Sequence, residues 1–378
     1  MTYTLSIDWL ALFCQCEAGM FFKAEDLKSV HCGQHSWEDG EFRSNMQYME
    51  ALPWSYELAE HGTRQYKQLW TIFLQREEVA FVQAQPCSQI LQANSCIVKF
   101  SNRLLYRHDL WDIVNRFLFD HLITPLNISR LDLCADFNKF ASYECVPFIA
   151  DFLSSKLRHK GQGIGAAYFQ HYTIPSGVSR VQRVKYTGLS FGSHESEARV
   201  YLYNKTLELQ TKDKPYIRDL WRTGGLNLSK DVWRLEVSLK SGATKFRDRK
   251  SGEDVQIDFE GIKKSCNLSI FYHTFVRKLF SFVYNREGIT NISREPIIEL
   301  FNGEPFYDRQ IIRNVSGSNR MDKIFIKQLW LMSQKYRSNG CVADEDLGRM
   351  LSTEVSESTD LTRWFLFKRD WWTSHLKN

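Results

Sequence analysis

Three segments far apart in this chain follow one pattern, and that pattern constrains the fold more than any other feature. In Arg130-Leu131-Asp132-Leu133-Cys134-Ala135-Asp136, alternation puts Arg130, Asp132, Cys134 and Asp136 on one side and Leu131 and Leu133 on the other. Arg199-Val200-Tyr201-Leu202-Tyr203-Asn204-Lys205 does the same, with Arg199, Tyr201, Tyr203 and Lys205 opposite Val200 and Leu202. In Arg234-Leu235-Glu236-Val237-Ser238-Leu239-Lys240 the polar side carries Arg234, Glu236, Ser238 and Lys240. A period of two with one greasy side predicts antiparallel strands laid on a core. Taken singly, each segment is an ordinary strand with a solvated outer face. Together, with an arginine two residues before Asp132, Tyr201 and Glu236, they describe a shared polar face if the strands are neighbours.

The rest of the chain fits around such a sheet. Tyr3, Leu5, Ile7 and Trp9 alternate as a strand does, and strand patterns recur at 69–74, 79–82, 95–100 and 183–191. Leu110, Ile113, Val114, Phe117, Leu118 and Leu122 have helical spacing, in a helix expected to stop before Pro125. A second helix is expected near 145–157, and helical periodicity dominates from 268 onward, at 268–283, 324–336, 344–351 and 361–372. The expected fold is α+β: an antiparallel sheet with flanking helices in residues 1–260, followed by a helical C-terminal region in residues 261–378.

Several function classes fall away. Nine cysteines with no CxxC pair argue against a disulfide framework and for a reducing compartment. The first residues lack the basic and apolar regions of a signal peptide, and no apolar run is long enough to span a membrane. The expectation is a cytoplasmic protein with no membrane partner. Gly161-Gln162-Gly163-Ile164-Gly165-Ala166 follows a helix rather than a strand, which sets dinucleotide binding aside. Cys14, Cys16, His31, Cys32 and His35 lack the spacing of a zinc knuckle. The 49 basic residues against 44 acidic ones suit a polyanionic partner.

The shared polar face has its own chemistry. Asp132, Asp136 and Glu236 offer the hard oxygen donors that Mg or Mn takes. The arginines and lysines suit phosphates, and a tyrosine supplies an oxygen nucleophile, Tyr201 and Tyr203 both lying on that side. Between Lys230 and Lys250 there are seven basic residues against three acidic ones. Lys245, Arg247 and Arg249 in that stretch are candidates for DNA-backbone contacts, and a solvated loop is the alternative. The C-terminal aromatics Trp364, Phe365, Phe367, Trp371 and Trp372 are expected to pack.

The segments Arg130 to Phe137, Gly188-Leu-Ser-Phe-Gly192-Ser193, Arg199 to Glu208 and Trp233-Arg234-Leu-Glu236, with the opening Ile7-Asp8-Trp9-Leu10, resemble the Rep_trans family. These are rolling-circle replication initiation factors of plasmids and filamentous phages, together with MobT-type relaxases. The resemblance spans roughly residues 3–240 in the family's order. It implies a site-specific DNA endonuclease and strand transferase in which the tyrosine before Asn-Lys, here Tyr203, attacks the scissile phosphate. A 5′-phosphotyrosine and a free 3′-hydroxyl would result. It further implies Asp132, Glu236 and Asp136 as the acidic residues, which would be the ligands of Mg or Mn. From the shared face itself, Lys205 is expected as a catalytic cation and Arg130, Arg199, Arg234 and Lys240, with Lys245, Arg247 and Arg249 of the basic run, as DNA contacts. The partner would be an origin or transfer origin, single-stranded or in a hairpin, with a homodimer and a host helicase as further partners. Where the family often has Gly-Ser-Arg, this chain has Gly192-Ser193-His194. The rivals are a non-catalytic DNA-binding accessory or repressor protein on the same scaffold, and an RNA-binding protein, for which no RRM or KH signature is present.

Overall fold

The computed structural model describes residues 2–16, 54–88, 91–160, 166–173, 183–193, 196–286 and 291–311. The expected helices at 324–336, 344–351 and 361–372, the C-terminal aromatics, His31, Cys32, His35 and His194 lie outside them. The chain divides into two compact units, residues 1–86 with 94–311 and residues 87–93 with 312–378. The described strands and helices all belong to the first unit.

Its strands are β1 (Tyr3–Cys16), β2 (Trp54–Leu58), β3 (Tyr66–Leu74), β4 (Glu77–Pro86), β5 (Ser95–Phe100), β6 (Ile123–Phe137), β7 (Leu157–His159), β8 (Ala166–Thr173), β9 (Arg183–Phe191), β10 (Ala198–Asn204), β11 (Trp233–Lys240), β12 (Lys245–Asp248), β13 (Asp254–Gln256), β14 (Phe282–Tyr284) and β15 (Arg309–Ile311). Its helices are α1 (Asn102–Leu105), α2 (Leu110–Asp120), α3 (Cys145–Leu153), α4 (Lys205–Thr211), α5 (Pro215–Thr223), α6 (Phe259–Ile262) and α7 (Ser265–Leu279). The main sheet runs β2-β3-β4-β5-β1-β6-β11-β10-β9-β8, with every described pairing antiparallel. The α+β class and the antiparallel sheet expected from the sequence are therefore what the chain forms.

The three patterned segments are central neighbours: β11 pairs with β6 on one side and β10 on the other. Their apolar side chains Leu131, Leu133, Leu235, Val237, Val200 and Leu202 are fully buried. Helices α2 and α7 cover that face. Phe117 of α2 meets Trp54 and Phe100 edge to face, and the Tyr272 hydroxyl of α7 donates to the Leu235 carbonyl at 3.0 Å. Alternation thus buries a continuous aliphatic layer and leaves the charged row on the opposite face.

Three departures from sequence expectation matter. Strand β1 carries a bulge: Ile7 pairs with Leu133 and Trp9 with Asp132, leaving Asp8 unpaired between them. The bulge inverts the alternation, so Leu10 and Leu12 take up the core phase of Ile7, and Trp9 turns to the polar face. Pro125 sits inside β6, where β1 is the described neighbour and a register shift adjoins its partner Cys14. The basic stretch after Lys240 is not a simple loop. Strands β12, β13 and β15 form a small sheet whose Phe246 is fully buried against Phe275 and Tyr307.

The expected boundary after residue 260 falls inside α6, and α7 packs on the same core as the main sheet. Residues beyond 268 also include the short strands β14 and β15. Among the described residues no helix is long and apolar enough to cross a membrane.

Candidate active site

The geometry around Tyr203 begins with Asn204. This residue ends β10 and caps α4, its side-chain carbonyl accepting from the Leu207 amide at 3.1 Å. Its amide group donates to Asp231 at 2.8 Å, and the Lys205 and Thr206 amides donate to the Val232 carbonyl. Tyr203 is therefore the last side chain but one of the strand, and Lys205 the first of the helix. Strand alternation would place Lys205 beside Tyr203. It reaches there instead because the chain turns, its ammonium donating to the Tyr203 hydroxyl at 3.3 Å and pairing with Glu208 at 2.5 Å.

The Tyr203 hydroxyl in turn donates to Glu236 Oε2 at 3.0 Å, from the adjacent strand β11. Burial pushes the phenol well above its ordinary pKa, and the Glu236 charge adds to the rise. Glu236 itself is raised to about 7, by burial first and then by the negative fields of Asp8 and Asp132. A carboxylate poised near neutrality, bonded to a phenol that must lose its proton to react, is a proton acceptor in the right place.

Asp8, the bulged residue, is the functional side chain that alternation alone hides. Its Oδ1 accepts from Tyr106 at 2.6 Å and from Arg234 at 2.7 Å, and Asn102 donates to its carbonyl at 2.8 Å. Burial works against its charge, yet Arg234, Lys205 and these hydrogen bonds hold it well below the usual carboxylate range. Asn102 also accepts from Lys214 and Tyr216 of the α5 region at 3.0 and 2.7 Å, tying α1 and α5 to the bulge. The sequence signal for Asp8 is the phase break itself, where apolar spacing jumps from Ile7 to Leu10.

Arg234 and Asp136 lie deeper. The guanidinium forks both Asp136 oxygens at 2.6 and 2.7 Å, and the Trp221 indole of α5 donates to Asp136 at 2.7 Å. Both side chains are 0% exposed. Helix α5 closes over them because Gly224 ends it against β1, where a Cβ would stand 2.0 Å from Thr4 Cγ2. Arg234 thus has no surface to offer a phosphate, and Asp136 has no oxygen left for an ion.

Asp132 sits next along β6, forked by Arg130 at 3.0 and 2.6 Å. Here the arginine is 42% exposed. Burial raises the Asp132 pKa despite that partner. Arg199 lies over the Tyr201 ring at 4.7 Å, and Tyr201 is the direct cross-strand partner of Glu236. Lys240 pairs in register with Arg130. Lys245 and Arg247 are on β12, with Arg247 bonded to Asp254 at 2.6 Å, and Arg249 follows that strand.

The carboxylates expected to share a metal are right in donor chemistry but not arranged as a cage. Among the described residues no three His, Cys, Asp or Glu side chains are grouped to hold an ion. Asp132 and Asp136 each have both oxygens taken by an arginine.

No family model matches the chain, and no curated protein matches it. Among solved structures it is similar to a rolling circle replication initiator protein from Geobacillus stearothermophilus, at 14% identity and a TM-score of 0.43. The similarity covers 79% of this chain and 93% of that one. A likeness this loose transfers neither a site nor an activity.

Proposed function

We propose that this chain is a DNA nicking and joining enzyme, a replication initiator or relaxase of a mobile element, with Tyr203 as nucleophile. The observation that carries this reading is the Tyr203 hydroxyl held between the Glu236 carboxylate at 3.0 Å and the Lys205 ammonium at 3.3 Å. The motif resemblance to Rep_trans proteins supports the same tyrosine. Residues elsewhere on that face, Arg130, Arg199 and Lys240, are the cations available to a DNA backbone, with Lys245, Arg247 and Arg249 as an outlying group.

In the proposed step the Tyr203 proton passes to Glu236 as the phenol oxygen bonds to phosphorus. The bond from phosphorus to the 3′ oxygen breaks, and that oxygen takes a proton to become the free 3′-hydroxyl. Lys205 offsets the charge on the phenol oxygen while it attacks. Asp136, Arg234 and Asp8 position the strands below it. Energy stays in the tyrosyl ester, so the 3′-hydroxyl can reverse the reaction without a nucleotide cofactor.

Mg or Mn belongs to this proposal as an ion that arrives with the DNA. Of the three expected ligands Asp132 and Asp136 are forked by arginines and Glu236 is bonded to the Tyr203 hydroxyl, so phosphate oxygens of the DNA and water, rather than a carboxylate cage, would hold such an ion. Bound there, the ion would supply neutralisation of phosphate charge.

The test uses supercoiled DNA carrying the element's own origin. Wild type should relax it with Mg or Mn and form a covalent protein–DNA adduct. Tyr203→Phe should lower nicking by at least about 1,000-fold and form no adduct, while Tyr201→Phe keeps both. An active Tyr203→Phe protein, or a wild type that binds the DNA and never cuts it, would overturn the reading. The second outcome would favour the accessory-protein alternative.

A further inference from the structure

Cleavage by Tyr203 needs two proton transfers, and Glu236 is placed for the first of them only. In a displacement at phosphorus the attacking and leaving oxygens stand roughly in line on opposite sides, about 5 Å apart as the attack begins. Glu236 and Lys205 are both bonded to the attacking phenol, and Lys205 is buried there. Neither also meets the 3′ oxygen leaving on the far side. Without a proton that oxygen must depart as an alkoxide, which is slow at neutral pH.

Most donors around the site are already committed. Arg234 is forked by Asp136 and bonded to Asp8, and Arg130 is forked by Asp132. The Tyr106 hydroxyl donates to Asp8 at 2.6 Å, and that of Tyr216 to Asn102 Oδ1 at 2.7 Å. Lys214, at the N-terminal end of α5, differs. Among the described residues its ammonium donates to Asn102 Oδ1 at 3.0 Å and makes no ion pair. Two of its three protons are therefore uncommitted there. Asn102 in turn donates to the bulged Asp8, at 2.8 Å to its carbonyl and at 3.2 Å to Oδ1, which holds the lysine at the edge of the site. Lys214 is half-buried. Burial lowers its pKa from the ordinary lysine value, against the field of Asp8 and with that of Lys205, and its proton is easier to give.

We propose that Lys214 is the general acid of cleavage, the residue that protonates the departing 3′ oxygen. The inference rests on the reading that Tyr203 cuts DNA and names the second proton carrier of that site. The phenol oxygen bonds to phosphorus as its proton passes to Glu236. The bond from phosphorus to the 3′ oxygen breaks, and that oxygen takes a proton from the Lys214 ammonium, leaving a neutral amine. In joining the roles reverse: the amine takes the proton of the attacking 3′-hydroxyl, and Glu236 returns one to the phenol. Exchange with water resets both groups when the product leaves instead. A four-carbon stem anchored at a helix start suits this task, because the ammonium can swing from Asn102 to the substrate while Tyr216 keeps α5 tied to α1.

The experiment uses the full chain and an origin oligonucleotide, with Mn throughout, beside the same oligonucleotide carrying sulfur in place of the 3′ oxygen at the cut position. A thiol ionises near pH 8.5, as cysteine does, so a thiolate leaves without help from an acid. Lys214→Met should cut the oxygen substrate at least about 100-fold more slowly than wild type, and the sulfur substrate within about 5-fold of wild type. Lys214→Arg should behave like Lys214→Met, because a guanidinium keeps the charge and a donor for Asn102 but does not give up its proton. Tyr216→Phe removes the other donor to Asn102 and should stay within about 5-fold on both substrates. Circular dichroism checks folding, and where Lys214→Met does not fold, Lys214→Arg decides between acid and tether. Lys214→Met that cuts the oxygen substrate like wild type, or is slowed equally on both substrates, would overturn the proposal and leave Tyr203 as nucleophile. Full activity in Lys214→Arg would do the same. Wild type that cuts neither substrate removes the enzyme reading, and the general acid with it.

Discussion

Two aspartates on the same face of β6 are each forked by an arginine, Asp132 by Arg130 of its own strand and Asp136 by Arg234 of β11, and the two pairs are different devices. Arg234 and Asp136 are 0% exposed beneath α5, with Trp221 and Asp8 completing their hydrogen bonds. Arg130 and Asp132 have the same forked geometry, but the arginine is 42% exposed and leans on Trp9. Pair chemistry is shared, and cover is not. Where helices close over the face, the charges become an internal frame that fixes strand positions; where they do not, the same charges remain available to a ligand. What a charged residue does here is decided by the element laid over it rather than by the strand that carries it.

The largest expected effect breaks the frame. Asp136→Ala leaves Arg234 buried with Asp8 as its remaining acid, which should cost about 3–5 kcal/mol of stability. Urea denaturation measures it, and a loss no larger than that of an exposed pair would erase the distinction between the two halves.

Glu236→Gln should act in opposite directions on the two properties. Its carboxyl titrates near 7 in the folded chain, above the value of about 4.3 expected when unfolded. The folded protein therefore holds that proton longer, and this group's contribution to stability falls as pH rises from about 4 to about 7. Removing the charge should raise the melting temperature by a few degrees at about pH 8 and change little near pH 4, while nicking is lost. Wild-type nicking should climb about tenfold per pH unit up to about 7 and then level. A flat profile there would remove Glu236 as the proton acceptor.

The smallest stability effect belongs to the open pair. Arg130→Gln should cost about 1 kcal/mol, since the guanidinium is half in water and Asp132, already raised by burial, can take a proton. Its DNA affinity should fall and its salt dependence weaken, measured on the same oligonucleotide. A large stability loss with unchanged affinity would make the two pairs alike.

Much of this face was legible in the sequence, because a period of two assigns sides without coordinates. The strands at 130–136, 199–204 and 234–240 follow from that rule, whereas their being neighbours, and the meeting of Tyr203 with Glu236, needed the pairing that the fold supplies and the family resemblance implied. Alternation names a side but not what covers it. Asp136 and Arg234 therefore read as open donors, whereas α5, itself unanticipated between the strands, seals them. Alternation also assumes an unbroken ladder. One bulged residue was enough to hide Asp8 and to put Trp9 on the face opposite Ile7, with which alternation grouped it. The basic run after Lys240 was open between DNA contacts and a solvated loop, and its strands went unread because the buried Phe246 is a single apolar mark among cations.

The changeover at Asn204 has a consequence for how the surroundings of the Tyr203 phenol, the proposed nucleophile, would fail under heat. Its ammonium neighbour is tethered two residues away by a capped helical start, so that pair moves as a short rigid cassette. Its carboxylate neighbour arrives on β11, more than thirty residues later in the chain, and depends on the ladder between two strands. Loosening of that ladder would strip the phenol of its base while the cation stayed at its post, silencing chemistry at temperatures where the chain still looks folded.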